Sequence, residues 1–380
     1  EILLEFNINT IRSNRRSTTM RVTPFLAMTK RAVDLAAKAG VGGGGGGWGA
    51  KPKLSWLDLS GSGLSVLERL CLEEALLRHD PLSRCWAVVG NHDPTHHTRL
   101  EIHSATQGDM YTDPSVVHNP GCVVVMGIGG RPERLLDVDL VRDDGVQVLR
   151  RFTGGGTVVV DHSSLWTTFI GRTDDLSHVE PYPRPIMKWS ADEIFGPAFR
   201  GMNERLREAG IRKKTLMVDS KSCGSENSGR QLYVEEEHDG GIPEFALVET
   251  DYVLGEKKIG GNAQAIIKGG FLHHTSFLWD YVDENMSYLT LPEKQPEYRS
   301  NRSHDEFLVK LKNYYGHLEG GKKAFFQHVK ASTADVFDVE DVSLRETLQM
   351  IDSELGGFQE WFDGKCRTKI VELPIELDSN

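Results

Sequence analysis

The chain has 380 residues, 39% hydrophobic and 26% charged, which is enough apolar material for one large domain or for one large and one small. Its formal net charge of -11 disfavours a nucleic-acid partner that needs a broad basic field, and no apolar run approaches the roughly 20 residues that span a bilayer, so neither a nucleic-acid nor a membrane partner is expected. Five scattered cysteines without a C-x-x-C pair argue for a reducing compartment and against a disulfide scaffold or structural zinc.

Residues 1–52 stand apart from the rest. Arg12, Arg15, Arg16, Arg21, Lys30, Arg31 and Lys38 lie among Ser and Thr with few acids, as in a mitochondrial or plastid transit peptide. The alternative is a tail with no address. Six glycines, Gly42 to Gly47, lack the Gly-Lys-Ser/Thr of a phosphate loop and read as a flexible linker. The folded region begins near Leu54. Leu64 to Leu77 has the apolar spacing of an amphipathic helix, and Trp86 to Val89 and Cys122 to Ile128 are short β-rich runs. Strands are expected at Val146 to Phe152, Thr157 to Val160 and Leu165 to Ile170, then a helix over Ala191 to Ala209 with Gly210 as its cap. Residues 218–243 read as a flexible insertion. Strands return at Phe245 to Leu254, Ala263 to Ile267 and Phe271 to Trp279. Helices follow at Glu306 to Tyr315, Lys322 to Phe337 and Ser343 to Phe362. Central strands with helices around them imply an α+β catalytic domain over 53–300 and a small helical C-terminal extension over 301–380.

Two stretches carry chemistry. In Arg150-Arg151-Phe152-Thr153-Gly154-Gly155-Gly156-Thr157, three glycines sit between predicted strands, where they pack nothing but permit close approach to the backbone. The arginines are donors suited to a carboxylate or phosphate. A Gly-rich hairpin with solvated arginines is the plainer reading. In Lys257-Lys258-Ile259-Gly260-Gly261-Asn262-Ala263-Gln264, a lysine at a Gly-Gly turn can set its ammonium beside an anion, and Asp251, one strand earlier, is a hard oxygen ligand for Mg2+. A surface turn is the plainer reading here too.

Taken together, Arg-Arg-x-Thr-Gly-Gly-Gly and, about a hundred residues on, Asp, a spacer and a Lys-Ile-Gly-Gly-Asn-Ala-Gln turn resemble the lipoate-protein ligase family. Phe271 to Leu278 is similar to that family's Leu-His-His-Gly-Thr-Leu-Leu strand, and Cys71 to Arg78 to its opening helix. The resemblance covers about Leu54 to Leu291, and Arg150 to Val159, His273 to Asp280 and Tyr288 to Arg299 look like the plant and algal branch. It implies the mixed-sheet fold of the biotin and lipoate protein ligases, related to class II aminoacyl-tRNA synthetases. It also implies an enzyme that forms an acyl-adenylate from lipoate or octanoate and ATP with Mg2+, then transfers the acyl group to a lysine. The implied acceptors are lipoyl-domain proteins, namely the acyltransferase subunits of 2-oxoacid dehydrogenases and the glycine-cleavage H protein.

By the same resemblance, Lys258 matches the lysine between the acyl carboxylate and the α-phosphate. Arg151 and Thr153 match residues lining the acyl and phosphate path, and Gly154, Gly155 and Gly156 the loop over the acyl chain. Asp251 matches a position near nucleotide and metal, and Gly260, Gly261, Asn262, Ala263 and Gln264 the nucleotide-binding turn after the lysine. Val160 stands where the family has His, and Ser164 where it usually has Asn. Of His273 and His274, on opposite strand faces, one is expected buried and one exposed, with His274 a substrate-lining residue. An octanoyltransferase of the same fold would need an activated cysteine, and no cysteine lies between Phe245 and Lys258. A binding module that has lost the chemistry is the other alternative, and Val160 keeps it open.

Overall fold

The computed structural model describes residues 51–91, 121–209, 242–291 and 295–373, with the backbone of one further strand pair, Thr215–Leu216 and Glu235–Glu236. The basic leader to residue 50, Gly42 to Gly47, His92, His96, His97, Gly210, Cys223 and most of the 218–243 insertion lie outside the described residues. Residues 51–380 form one unit.

The strands, in chain order, are β1 (Lys53–Asp58), β2 (Cys85–Asn91), β3 (Cys122–Met126), β4 (Gln147–Arg150), β5 (Gly154–Gly155), β6 (Val158–Asp161) and β7 (Ser164–Arg172). After the pair β8 (Thr215–Leu216) and β9 (Glu235–Glu236) come β10 (Phe245–Val248), β11 (Asp251–Leu254), β12 (Lys257–Ile267), β13 (Gly270–Leu278), β14 (Asp338–Asp341) and β15 (Lys369–Ile370). The main sheet runs β10-β11-β12-β13-β7-β2-β1-β14, with β5 added to β12, and a smaller sheet runs β15-β4-β3-β6. β1 pairs in parallel with β2 and β14, whereas β7 is antiparallel to β2 and β13, so the large sheet is mixed. This is the expected α+β class.

Strand β7 lies at the centre and every one of its residues is buried. Its two faces feed separate cores, as the two-residue repeat of a strand requires. Leu165 and Phe169 join the cluster of Trp189, Phe195, Phe199, Phe271 and Phe277, while Trp166 and Ile170 join Leu70, Val88 and Leu272. Helix Val66–His79 closes the second face; its capping box at Ser65 and Glu68 satisfies orphan amides of its first turn. The helix is buried nearly all round, Glu73 and Glu74 included, rather than along a single stripe.

Several expected elements have a different form. Ser343 to Phe362 breaks at Gly356 and Gly357 (φ 79° and 133°) into Leu344–Leu355 and a second helical piece from Phe358, and Gly260 and Gly261, expected in a turn, lie within β12. The helix expected from Ala191 begins at Pro183, where proline occupies the first turn, and runs through a π-helical segment, Ser190–Phe195, to Glu208. Phe245 to Leu254 is a hairpin rather than one strand, turned at Glu249 with φ of 53°. Glu306 to Tyr315 is two short helices, His304–Phe307 and Lys312–Tyr315. Between them Val309 N donates to Lys258 O (3.0 Å) and Leu311 N to Leu278 O (2.7 Å), so bonds to the sheet replace the helical ladder. Residues beyond 300 are mostly helical, yet they also supply β14 and β15 and pack Phe325, Phe326 and Val329 into the first core.

Candidate active site

A cavity of about 850 Å³ opens on the face of β7 and β13 that carries Trp166, Thr168, His274, Ser276 and Leu278, with Gly261 to Gln264 of β12 beside it. The first five positions alternate along their strands and so share one sheet face. Strand β5 supplies a second wall. Gly155 pairs with Ala263 and Gly154 with Gln264. At Gly155, φ is 125° and an added Cβ would lie 2.8 Å from Asn262 O; at Gly127, an added Cβ would lie 2.3 Å from Gly155 O. The strand therefore lies against its neighbours only because no side chain intervenes.

Lys258 reaches the cavity through an irregularity. The pairing of β11 with β12 shifts register after Tyr252, so Tyr252 faces Gly260 while Val253 faces Lys258. The extra residue, Ile259, brings Lys258 and Gly261 to the same side, as a β-bulge does. Lys258 Nζ lies 2.9 Å from Asp251 Oδ1 and 3.7 Å from where a Cβ on Gly261 would sit. The other Asp251 oxygen accepts from Tyr298 Oη at 2.9 Å. Among the described residues, no group of three or more His, Cys, Asp or Glu side chains could hold a metal. Both oxygens of Asp251, the only carboxylate lining the cavity among the described residues, are engaged, so Asp251 fits the orientation of Lys258 better than a protein-held Mg2+.

The other expected residues divide by what their side chains touch. Arg151, Gly154, Gly155, Gly156, Asp251, Lys258, Gly261, Asn262, Ala263, Gln264 and His274 all line the cavity; Thr153 and Gly260 do not. Arg151 was expected to offer donors to an anion. Instead it donates to Thr153 Oγ1 (2.9 Å), Val125 O (3.1 Å) and Gly156 O (2.7 Å), fastening the glycine strand, and burial lowers its pKa to about 10. Asn262 donates to Thr250 O and accepts from Thr275 Oγ1, and Gln264 donates to Pro183 O. Gly260 packs against Phe277. Val160, which stands in place of a histidine, is buried in the second core and absent from the lining.

Both histidines are buried, which corrects the expectation of an exposed one. His274 Nδ1 lies 3.0 Å from both Thr168 Oγ1 and Glu73 Oε2, while Glu73 Oε1 accepts from Arg69 Nε at 3.0 Å. Burial pushes the Glu73 pKa up, but His274 and Arg69 outweigh it and hold the carboxyl below its usual range. His273, on the opposite face, contacts Ser190 Oγ, Tyr252 Oη and Gln264 Nε2. Burial, with a smaller effect from His274, lowers its pKa from 6.5 to about 3. Between those values only the unfolded chain takes up the proton, so the stability this ring contributes is complete above pH 6.5 and declines as pH falls toward 3. Urea unfolding at pH 7 and pH 5 should reveal a loss for the native chain that His273→Asn largely removes; equal losses would mean the ring titrates normally.

The sequence did not single out Glu73, Thr168, Tyr298, Arg299 or His304. The last four are set by contacts across the chain; Glu73 fell within the Cys71 to Arg78 stretch, and Tyr298 and Arg299 within Tyr288 to Arg299, both noted for resemblance. Of the described cysteines, Cys71, Cys85, Cys122 and Cys366 are all buried and none lines the cavity. Burial raises the thiols of Cys85 and Cys122 to about 12, the reverse of what a nucleophile needs.

A held ammonium, a glycine strand without side chains and two buried arginines, Arg151 and Arg299, surround one cavity. Residues 115–338 match the lipoyl protein ligase A/B catalytic domain, and the chain belongs to that family. It is similar to inactive lipoate–protein ligase 2 of Plasmodium falciparum, 28% identical over 261 residues, covering 66% of this chain and 62% of that protein. It is also similar to lipoate-protein ligase A subunit 1 of Thermoplasma acidophilum, 27% identical over 174 residues, covering 46% of this chain and 52% of that one. The chain thus spans less than two thirds of either relative. A crystal structure of lipoate-protein ligase A bound with ATP is similar with a TM-score of 0.45 and 20% identity, covering 83% of this chain and 95% of that one.

Proposed function

We propose that this protein is an ATP-dependent lipoate-protein ligase. The acid is lipoate or octanoate, and the acceptor is a lysine of a lipoyl domain, as in 2-oxoacid dehydrogenase acyltransferase subunits or the glycine-cleavage H protein. The observation that carries this reading is Lys258, whose ammonium is fixed by Asp251 at 2.9 Å beside Gly261, on the wall of a cavity shared with Gly154 to Gly156. Forming an acyl-adenylate brings a carboxylate onto an α-phosphate, and a preorganised cation between two anions offsets their repulsion as the bond forms. The carboxylate oxygen attacks the α-phosphorus and pyrophosphate leaves. An acceptor amine then attacks the acyl carbon, and AMP leaves with the electron pair of the broken anhydride bond. Mg2+ carried on the nucleotide's phosphates would offset part of their charge, as that ion commonly does. No covalent enzyme intermediate is needed, consistent with the burial of every described cysteine.

The test combines the protein with Mg-ATP, each acid and an apo lipoyl domain. Pyrophosphate should be released, and the acceptor should gain the mass of one acyl group by mass spectrometry. Acyl gain without ATP would favour a transferase. Similarity to a Plasmodium ligase described as inactive favours a second reading, a relative that binds ligand without chemistry. Acid and ATP binding with neither product would support it.

A further inference from the structure

The described residues lining the cavity include three permanent cations, Arg151, Lys258 and Arg299, and one carboxylate, Asp251. This local excess of positive charge sits in a chain of net charge -11. Two of the three cations are occupied. Lys258 is paired with Asp251, and Arg151 spends its donors on three protein oxygens.

Arg299 differs. Only 4% of it is exposed, its Nε donates to Arg302 O at 3.0 Å, and its guanidinium carbon lies 4.8 Å from the centre of the Phe307 ring. Those two contacts hold the plane of the group. Its Nη2 is buried and has no hydrogen-bond partner among the described residues. Asp251 is the lining carboxylate nearest in kind, but its two oxygens are taken by Lys258 and Tyr298. A buried charged donor left unpaired is costly, so a ligand acceptor placed there is stabilised by more than the same contact in water. Arg299 and Lys258 bear on one corner of the cavity: burial, then Arg299, and also Lys258, lower the pKa of His304, which lines the same wall.

Which anion belongs there follows from charge. The proposed ligase reading, on which this inference rests, brings one carboxylate and a triphosphate into the cavity. Lys258 serves the point where carboxylate and α-phosphate meet. The charge that remains is on the β- and γ-phosphates, and among the described lining cations Arg299 is the one whose buried Nη2 is unpartnered, on a planar fork suited to phosphate oxygens. We infer that Arg299 binds the β,γ-diphosphate portion of the nucleotide and holds the pyrophosphate as it leaves. When the α-phosphorus gains the acyl oxygen and loses its bond to the bridging oxygen, the electron pair goes to that oxygen, and Arg299 offsets the charge that develops.

The experiment is calorimetric titration of ATP, AMP, pyrophosphate and lipoate into the full chain and into Arg299→Met, which keeps an apolar stem of similar reach. ATP and pyrophosphate should bind about 10- to 100-fold more weakly, as for loss of one charge-assisted contact, with AMP and lipoate changed less than about threefold. Unchanged lipoate binding also reports an intact fold. Should Arg299→Met not fold, Arg299→Lys keeps the charge and loses the fork, and the same ranking of ligands is expected. AMP weakened as much as ATP would move the contact to the α-phosphate and overturn the assignment, as would ATP and pyrophosphate binding that does not change. A native chain that binds lipoate but no ATP overturns the ligase reading together with this one. A native chain that binds ATP, matched by its Arg299 variants, overturns only this one.

Discussion

Lys258→Ala is expected to lower acid-dependent pyrophosphate release from ATP by about 100- to 1,000-fold, the scale of losing one preorganised charge-stabilising donor. The ammonium has few other duties. It sits on the wall of the cavity, its partner Asp251 is held in turn by Tyr298, and Gly261 leaves the space beside it clear. Folding should survive, because the strand is kept by backbone pairing to β11 and β13. Lys258→Arg restores the charge but replaces a compact ammonium held by Asp251 with a planar fork, so only partial recovery is expected. A coupled pyrophosphate assay run with and without lipoate measures the effect. Release that persists in the alanine variant removes Lys258 from the role given to it.

Glu73→Ala is expected to cost about 3–5 kcal/mol of folding stability, the usual penalty for removing one partner of a buried ion pair. Glu73 is fully buried on helix Val66–His79, with Arg69 on one oxygen and the His274 ring beside the other. Its loss strands the Arg69 guanidinium, 6% exposed, with Val88 O and the face of Trp166 as its remaining contacts. Glu73→Gln, which keeps the shape, should cost less. Because His274 Nδ1 faces Glu73 and the same ring lines the cavity, lipoate affinity should fall along with stability. Denaturant unfolding and lipoate titration on the same samples separate the two effects. Stability within 1 kcal/mol of the native chain would refute the pairing.

Sequence reading succeeded where a signal is local. Runs such as Cys122 to Met126 are apolar because both strand faces are buried, and that can be read without knowing the neighbours. The glycines at 154 to 156 and the lysine at 258 were visible because glycines beside basic residues are unusual locally, although Gly260 and Gly261 lie inside strand β12 rather than in the expected turn. The form of Glu306 to Tyr315 was not visible. Its composition favours one helix, but backbone acceptors on Lys258 and Leu278 compete successfully for its amides. Asn262 and Gln264 were assigned to a nucleotide by resemblance, yet their side chains brace neighbouring segments.

The sequence by itself determined the class of fold, the family and the two stretches that meet at the cavity, since each is written in short-range patterns of apolar, glycine and basic residues. Only the tertiary structure decided which charges remain uncompensated there. It pairs Asp251 with Lys258, ties Arg151 to two carbonyls and the Thr153 hydroxyl, sets Glu73 behind His274 and leaves Arg299 Nη2 without a partner among the described residues. The physical reason is that a buried charge is governed by what lies within a few ångströms in space, and residues 73, 151, 251 and 299 come together only once the sheet has formed.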